Sequence, residues 1–244
     1  MTASISGSAV SARSASTSAS VAYTASAGRF LVLLASRESA NQYYTAVTDD
    51  GGNTWVNQTA APTSGTAGRR VEIWTCTTTS SLTTITATFS GTSGAFIGVY
   101  DIAGQNGVDS VGSDFRTNSA APTPVTVTPA ESTDLVIGMV MGNGSGTQTY
   151  TVSSGWTMLT PATGSVSGGY AAAYMVNPPA GAAVGPTWTF STSAGSGMAV
   201  IALKSSSVTP GFTVSIWDGT NEQPASISFW DGTNEVSASV DSIT

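Results

Sequence analysis

The chain has 244 residues, of which 9% are charged, with seven basic residues against fourteen acidic ones and a net charge of −7. Charged residues ordinarily make up about a quarter of a globular domain, and no basic stripe is present that would follow a phosphate backbone, so nucleic acid is excluded as a partner. Histidine is absent and Cys76 is the single cysteine, which removes the commonest general base and metal ligand, any internal disulfide and a disulfide-stapled secreted fold.

Forty per cent of the residues are hydrophobic, enough for a sizeable core. Ser, Thr, Gly and Ala fill much of the remainder, and the Thr and Val content suits half-buried pleated surfaces. The N-terminus MTASISGSAV has neither a basic nor an apolar signal region, so synthesis in a cytoplasm without a standard export signal is expected. No apolar run approaches a membrane span, so no membrane insertion is expected. No cofactor and no metal are expected either.

In chain order, residues 1–28 are small and polar and read as an N-terminal arm or an edge strand, with Val21 and Tyr23 alternating with polar neighbours. RFLVLLAS (29–36) is a continuous apolar run, too short for a stable helix and suited to a buried strand. YYTAVTDDGGNTWVNQ (43–58) reads as strand, Gly-rich turn, strand. RRVEIWTCTT (69–78) alternates Val71, Ile73 and Thr75 against Glu72, Trp74 and Cys76, which makes Cys76 a packed thiol. TTITATFSGTSGAFIGVYDI (83–102) reads as two strands about a Gly/Ser turn, and TPVTVTP (123–129) as a short strand between prolines.

The second half echoes the first. DLVIGMVMG (134–142) matches FLVLLAS, SSGWTML (153–159) matches GGNTWVN, GYAAAYMVN (169–177) matches RRVEIWTCT, and TWTFSTSAGSGMAVIALK (187–204) matches ITATFSGTSGAFIGVYDI. The spacings agree: Trp55 to Trp156 is 101, Trp74 to Tyr174 is 100, Phe89 to Phe190 is 101 and Leu31 to Leu135 is 104. The pattern predicts an all-β protein over 29–206, a jelly-roll-like β-sandwich of eight strands made from two similar halves packed face to face. Two tandem small sandwiches are the less favoured arrangement.

SSSVTPG (205–211) reads as a linker. Residues 207–244 then carry the hexapeptide WDGTNE twice, thirteen residues apart. Asp-Gly between strand-like residues is a strong hairpin signal, so the turns are assigned to Asp218, Gly219, Asp231 and Gly232. A C-terminal β-meander of three strands follows, with Trp217 and Trp230 before the two turns as candidate docking residues. The spacing of Asp218, Glu222, Asp231 and Glu235 fits no known calcium loop. Three short strands are marginal alone, so the segment must pack on the body or on another protein. It resembles the short C-terminal tails of tailed-bacteriophage virion proteins, particularly those of actinobacteriophages, in which such turns with a preceding Trp recur.

TDDGGNTW (48–55) fits the Asp-box pattern at Thr48, Asp50, Gly52, Thr54 and Trp55, and is similar to the turn braces of sialidase propellers, which lie remote from the active site. A propeller would repeat the box in successive blades, and this chain has it once. The same turn, with the strands running through GVYDIAG, also resembles Gly/Ser/Thr-rich jelly-roll modules of phage and bacterial surface proteins. A serine hydrolase lacks its base here. A glycosidase would draw on Asp49, Asp50, Glu72 and Asp101, of which the first two are better explained by the turn and the others by exposure on strands. Tyr43, Tyr44, Trp55, Trp74, Trp156, Tyr170 and Trp188 are the aromatics that would stack on sugars, although core packing is the commoner role for residues in alternating strands.

The resemblance implies a non-enzymatic structural component of a tailed-phage virion, most naturally a minor tail protein that touches the host surface. It would be a homo-oligomer whose partners are other virion proteins and a host cell-surface glycan. A capsid decoration protein or head fibre is the first alternative, and a carbohydrate-binding module the second.

Overall fold

A computed structural model describes residues 2–11, 14–39, 42–59, 69–92, 94–142, 148–159, 170–206, 226–230 and 235–239. The chain forms two compact units, residues 1–206 and residues 207–244. Among the described residues all regular structure is β, as the sequence predicts.

The first unit opens with β1 (Ser4–Val10), β2 (Ser18–Ala25), β3 (Phe30–Arg37), β4 (Tyr44–Asp49), β5 (Val56–Asn57), β6 (Arg70–Thr77), β7 (Leu82–Phe89) and β8 (Ala95–Ala103). It continues with β9 (Gln105–Ser119), β10 (Leu135–Gly142), β11 (Tyr150–Val152), β12 (Thr157–Met158), β13 (Tyr170–Val176), β14 (Trp188–Phe190) and β15 (Ala194–Ser205). All pairing is antiparallel. One five-stranded sheet has the order β1-β8-β3-β6-β5 and faces a three-stranded sheet, β2-β7-β4. A second five-stranded sheet, β12-β13-β10-β15-β9, faces the pair β11-β14.

Three cores separate these sheets. Leu31, Leu33, Ile97 and Val99 meet Val21, Ile85, Ala87 and Phe89 inside the first sandwich. Val136, Val140, Met198 and Val200 meet Tyr150, Trp188 and Phe190 inside the second. The opposite faces of the two five-stranded sheets close on each other through Val32, Leu34, Ile73 and Tyr100 on one side and Ile137, Met139, Ala199 and Ile201 on the other. The body therefore has four layers, which differs from the expected single eight-stranded sandwich. FLVLLASR and LVIGMVMG explain why. Every residue of each strand is buried, and a strand apolar on both faces needs a core on both sides, which only an inner layer supplies. The all-β sandwich class stands; the strand connections here are those of two stacked sandwiches.

The two five-stranded sheets repeat each other strand for strand, and β4 and β7 of the first half correspond to β11 and β14, while β2 has no strand counterpart among the described residues. Read from one edge, β1-β8-β3-β6-β5 corresponds to β9-β15-β10-β13-β12. The Phe89 amide donates to the Thr17 carbonyl at 2.8 Å, and the Phe190 amide to the Ala120 carbonyl at 2.7 Å. Tyr44 stands edge-on to Phe89 at 4.9 Å, and Tyr150 edge-on to Phe190 at 5.4 Å. The equivalence corrects two of the sequence spacings. Leu33 pairs with Trp74 and Val99, and Gly138 with Ala173 and Val200, so the counterpart of Trp74 is Ala173 and that of Leu31 is Val136. Leu135 and Tyr174, matched to Leu31 and Trp74 by spacing, face the shared core. A one-residue slip in a strand exchanges its faces. The volume that Leu33 fills in one sandwich is filled over Gly138 by the Pro186 ring, which would lie 2.5 Å from a Cβ there.

Residues 1–28, read as an arm or an edge strand, supply two edge strands: β1 pairs with β8, and β2 with β7. The halves join at Gly104, a single residue between β8 in one sheet and β9 in the other. Its φ of 66° is readily reached by a residue without a side chain.

The second unit contains a hairpin of β16 (Ser226–Trp230) and β17 (Glu235–Ser239). Ile227 pairs with Ala238, Phe229 with Val236 and Trp230 with Glu235, so four residues separate the last paired positions. Trp217, Asp218, Gly219, Asp231 and Gly232 lie outside the described residues, as does the first strand expected for the meander.

Candidate functional site

The turn after β4 uses both of its aspartates. Asp49 Oδ1 accepts from the Gly51 amide at 2.9 Å, the Asn53 amide at 3.1 Å and Asn53 Nδ2 at 3.1 Å, while Oδ2 accepts the Trp55 indole N–H at 2.7 Å. The box pattern placed the brace at Asp50; the carboxylate that ties the turn to the Trp is Asp49. Asp50 reaches the next turn instead. It accepts from the Thr83 hydroxyl, the Thr83 amide at 2.8 Å and the Thr84 amide at 3.1 Å. Those bonds, the hydroxyl first, hold its carboxyl down at about 2. Gly52 has φ 72°, the left-handed region the turn requires, and Trp55 is 8% exposed, packed into the first core. Asn53, which the pattern leaves unassigned, completes the brace: its Oδ1 accepts from the Thr79 amide at 2.7 Å and the Ser80 amide at 2.9 Å.

Glu72 and Asp101 are not exposed on their strands, as alternation suggested, but 0% and 5% exposed. Both face the interior of the first sandwich and both are paired there. Asp101 accepts from Arg29 Nε at 2.9 Å and the Tyr23 hydroxyl at 3.1 Å. Burial, reinforced by Asp101, pushes the Tyr23 hydroxyl up to about 12. Glu72 Oε1 accepts from Arg70 Nε at 2.6 Å and the Tyr44 amide at 3.4 Å; Oε2 accepts from Asn57 Nδ2 at 2.9 Å and Trp74 Nε1 at 3.1 Å. Glu72 pairs with Ala35 and Asp101 with Leu31 on opposite sides of β3. Strand dimensions then put them roughly 17 Å apart, beyond the ~9.5 Å that glycosidase carboxylate pairs span.

The aromatics divide sharply. Tyr44, Trp55, Tyr170 and Trp188 are buried in the cores. Tyr43 is 50% exposed, and Trp74 and Trp156 are partly so. Tyr43 and Trp74 belong to one cluster with Glu72, because the Arg70 guanidinium lies 5.9 Å from the Tyr43 ring and Trp74 donates to Glu72. Sequence alone pointed to these residues separately; their meeting depends on β4, β5 and β6 converging at one end of the first sandwich.

Cys76 is buried, and burial pushes its thiol up to about 11, the packed thiol expected of it. Among the described residues no three of Asp, Glu and Cys converge as a metal would need. Trp230 ends β16, opposite Glu235. No protein-family model, no curated protein and no solved structure matches the chain.

Proposed function

We propose that the chain is a structural component of a tailed-phage virion, placed in the tail as a minor tail protein that contacts the host surface. The observation that carries the reading is the C-terminal unit. It forms a unit of its own by internal contacts, its hairpin strands flank the second WDGTNE, and their register pairs Ile227 with Ala238 and Phe229 with Val236. A two-stranded hairpin is marginal alone in water, so such a segment suits attachment to a further protein. The engagement of Asp49, Asp50, Glu72 and Asp101 in bracing bonds supports a role without catalysis. Homo-oligomerisation and contact with other virion proteins belong to the same proposal.

The test is gold-antibody labelling of intact virions of the source phage, viewed by electron microscopy. Label on the tail or its tip supports the reading. Label across the capsid replaces it with a decoration protein or head fibre, the second reading, for which the WDGTNE segment is the anchor. Absence of the protein from intact and from denatured purified virions alike, with an antibody that detects the purified chain, removes the particle assignment.

A further inference from the structure

We propose that the cluster around Glu72 is a binding site for a neutral saccharide, with Tyr43 and Trp74 as its stacking surfaces. The inference supplies the ligand class for the host-contact part of the reading above, and rests on that reading only for its biological setting.

A sugar ring offers an apolar C–H face and a rim of hydroxyls, so its receptor needs an accessible aromatic face beside polar groups that are already fixed in place. Tyr43 is half exposed, Trp74 partly so, and Asn57 lies exposed beside them on β5. The four donors on Glu72 fill its acceptor capacity. Glu72 is thus a positioning residue. It holds the Asn57 amide, the buried Arg70 guanidinium and the Trp74 indole, and leaves a second Asn57 N–H and the Tyr43 hydroxyl to meet a ligand.

Charge selects the class. Arg70 is paired with Glu72 at 2.6 Å, so that pair offers an anion no net positive charge. The chain at −7 repels polyanions.

The duplicated fold provides an internal control. In the second sandwich the counterparts of Glu72 and Trp74 are Ala171 and Ala173, on the equivalent strand and facing the equivalent core. A sandwich of this design therefore closes with methyl groups at the positions of Glu72 and Trp74. The Glu72 network is thus particular to the first half and is not repeated at the equivalent positions of the second.

The full chain is applied to an array of neutral hexose and N-acetylhexosamine oligosaccharides printed beside uronate- and sulfate-bearing ones, and the best neutral hit is titrated by calorimetry. Binding to a neutral glycan is expected. It weakens about tenfold or more in Tyr43→Ala, the size of loss that a stacking contact at the centre of a site produces. Tyr43→Phe keeps affinity within about threefold, and Trp156→Ala, in the other sandwich, leaves it unchanged. Tyr43 is exposed, so its replacement leaves the fold intact; Trp74→Phe is a second variant that keeps a ring but loses the bond to Glu72, and weakens binding less than Tyr43→Ala. Binding confined to acidic glycans, no binding to any neutral one, or equal affinity of wild type and Tyr43→Ala overturns the proposal. These outcomes are read on purified protein, so they stand apart from where the label falls on virions.

Discussion

Glu72 and Ala171 are structural counterparts, one paired with Ala35 and the other with Val140 on equivalent strands. In one sandwich that position holds a buried carboxylate with four donors; in the other it holds a methyl group. A buried ion pair contributes little net stability when intact, but removing one partner strands the other.

Glu72→Ala is therefore expected to lose about 3–5 kcal/mol of unfolding free energy, because Arg70 is left as an uncompensated buried charge. The double change Glu72→Ala with Arg70→Met recovers a large part of that loss. Urea denaturation of the three proteins measures both; a double variant no more stable than Glu72→Ala alone would show that the ion pair is not the source.

Asp50 should make stability depend on acid. Its carboxyl sits at about 2 when folded and near 3.9 in an unfolded chain. A depressed folded value gives stability that is fully present above the unfolded value and is lost as pH falls through the folded one. The difference in stability between wild type and Asp50→Asn should therefore hold steady above about pH 5 and shrink between about pH 4 and pH 2. Chemical denaturation at a series of pH values checks this, and a difference that stays constant to pH 2 would refute it.

At the alkaline end the sign reverses. Tyr23, Tyr100 and Tyr150 are pushed up to about 12, in each case chiefly by burial. The unfolded chain then ionises first, near pH 10, and stability falls as pH rises from about 10 toward 12. Phenolate absorbance should appear in two steps, exposed tyrosines first and the remainder together with the loss of near-ultraviolet dichroism.

Cys76 should resist a thiol reagent in the native protein. It is 2% exposed, so labelling requires opening of the first core. The labelling rate at fixed reagent should rise with urea in parallel with unfolding; fast stoichiometric labelling without denaturant would contradict the buried placement.

Truncation after Ser206 should leave the body folded, with a melting midpoint within a few degrees of the full chain, while virion incorporation or self-association is lost. Light scattering and thermal melts of the two proteins separate these effects. An unfolded truncation would make the C-terminal segment part of the core.

Much of the architecture was legible because it rests on apolar pattern. FLVLLASR and LVIGMVMG announce buried strands, and Trp55 with Trp156 and Phe89 with Phe190 mark the duplication in the correct register. What escaped was what the pattern does not encode. β1 and β9 are edge strands rich in Ser and Gly, and their pairing comes from neighbours that offer a free ladder rather than from their own alternation. Leu135 was matched to Leu31 because both are leucine, yet they face different cores, since runs apolar on both faces give no signal of which side is which. Glu72 and Asp101 looked exposed because charge usually is; their partners Arg70 and Arg29 lie on the same or neighbouring strands, but only the folded register brings guanidinium to carboxylate. Of the candidate site, Tyr43, Trp74 and Glu72 were each noticed, and Asn57 was not, because an amide on a two-residue strand carries no sequence signal.

The last strand of the body, β15, lies between β9 and β10, hydrogen-bonded along both sides. The chain that leaves it at Ser206 leads directly to the C-terminal unit. A force applied at Ser206 along the axis of β15 would load two ladders in shear, with their bonds sharing it at once, instead of peeling an edge strand open pair by pair. An inner strand at the end of the first unit thus resists such a load with both of its neighbours, where an edge strand would have one.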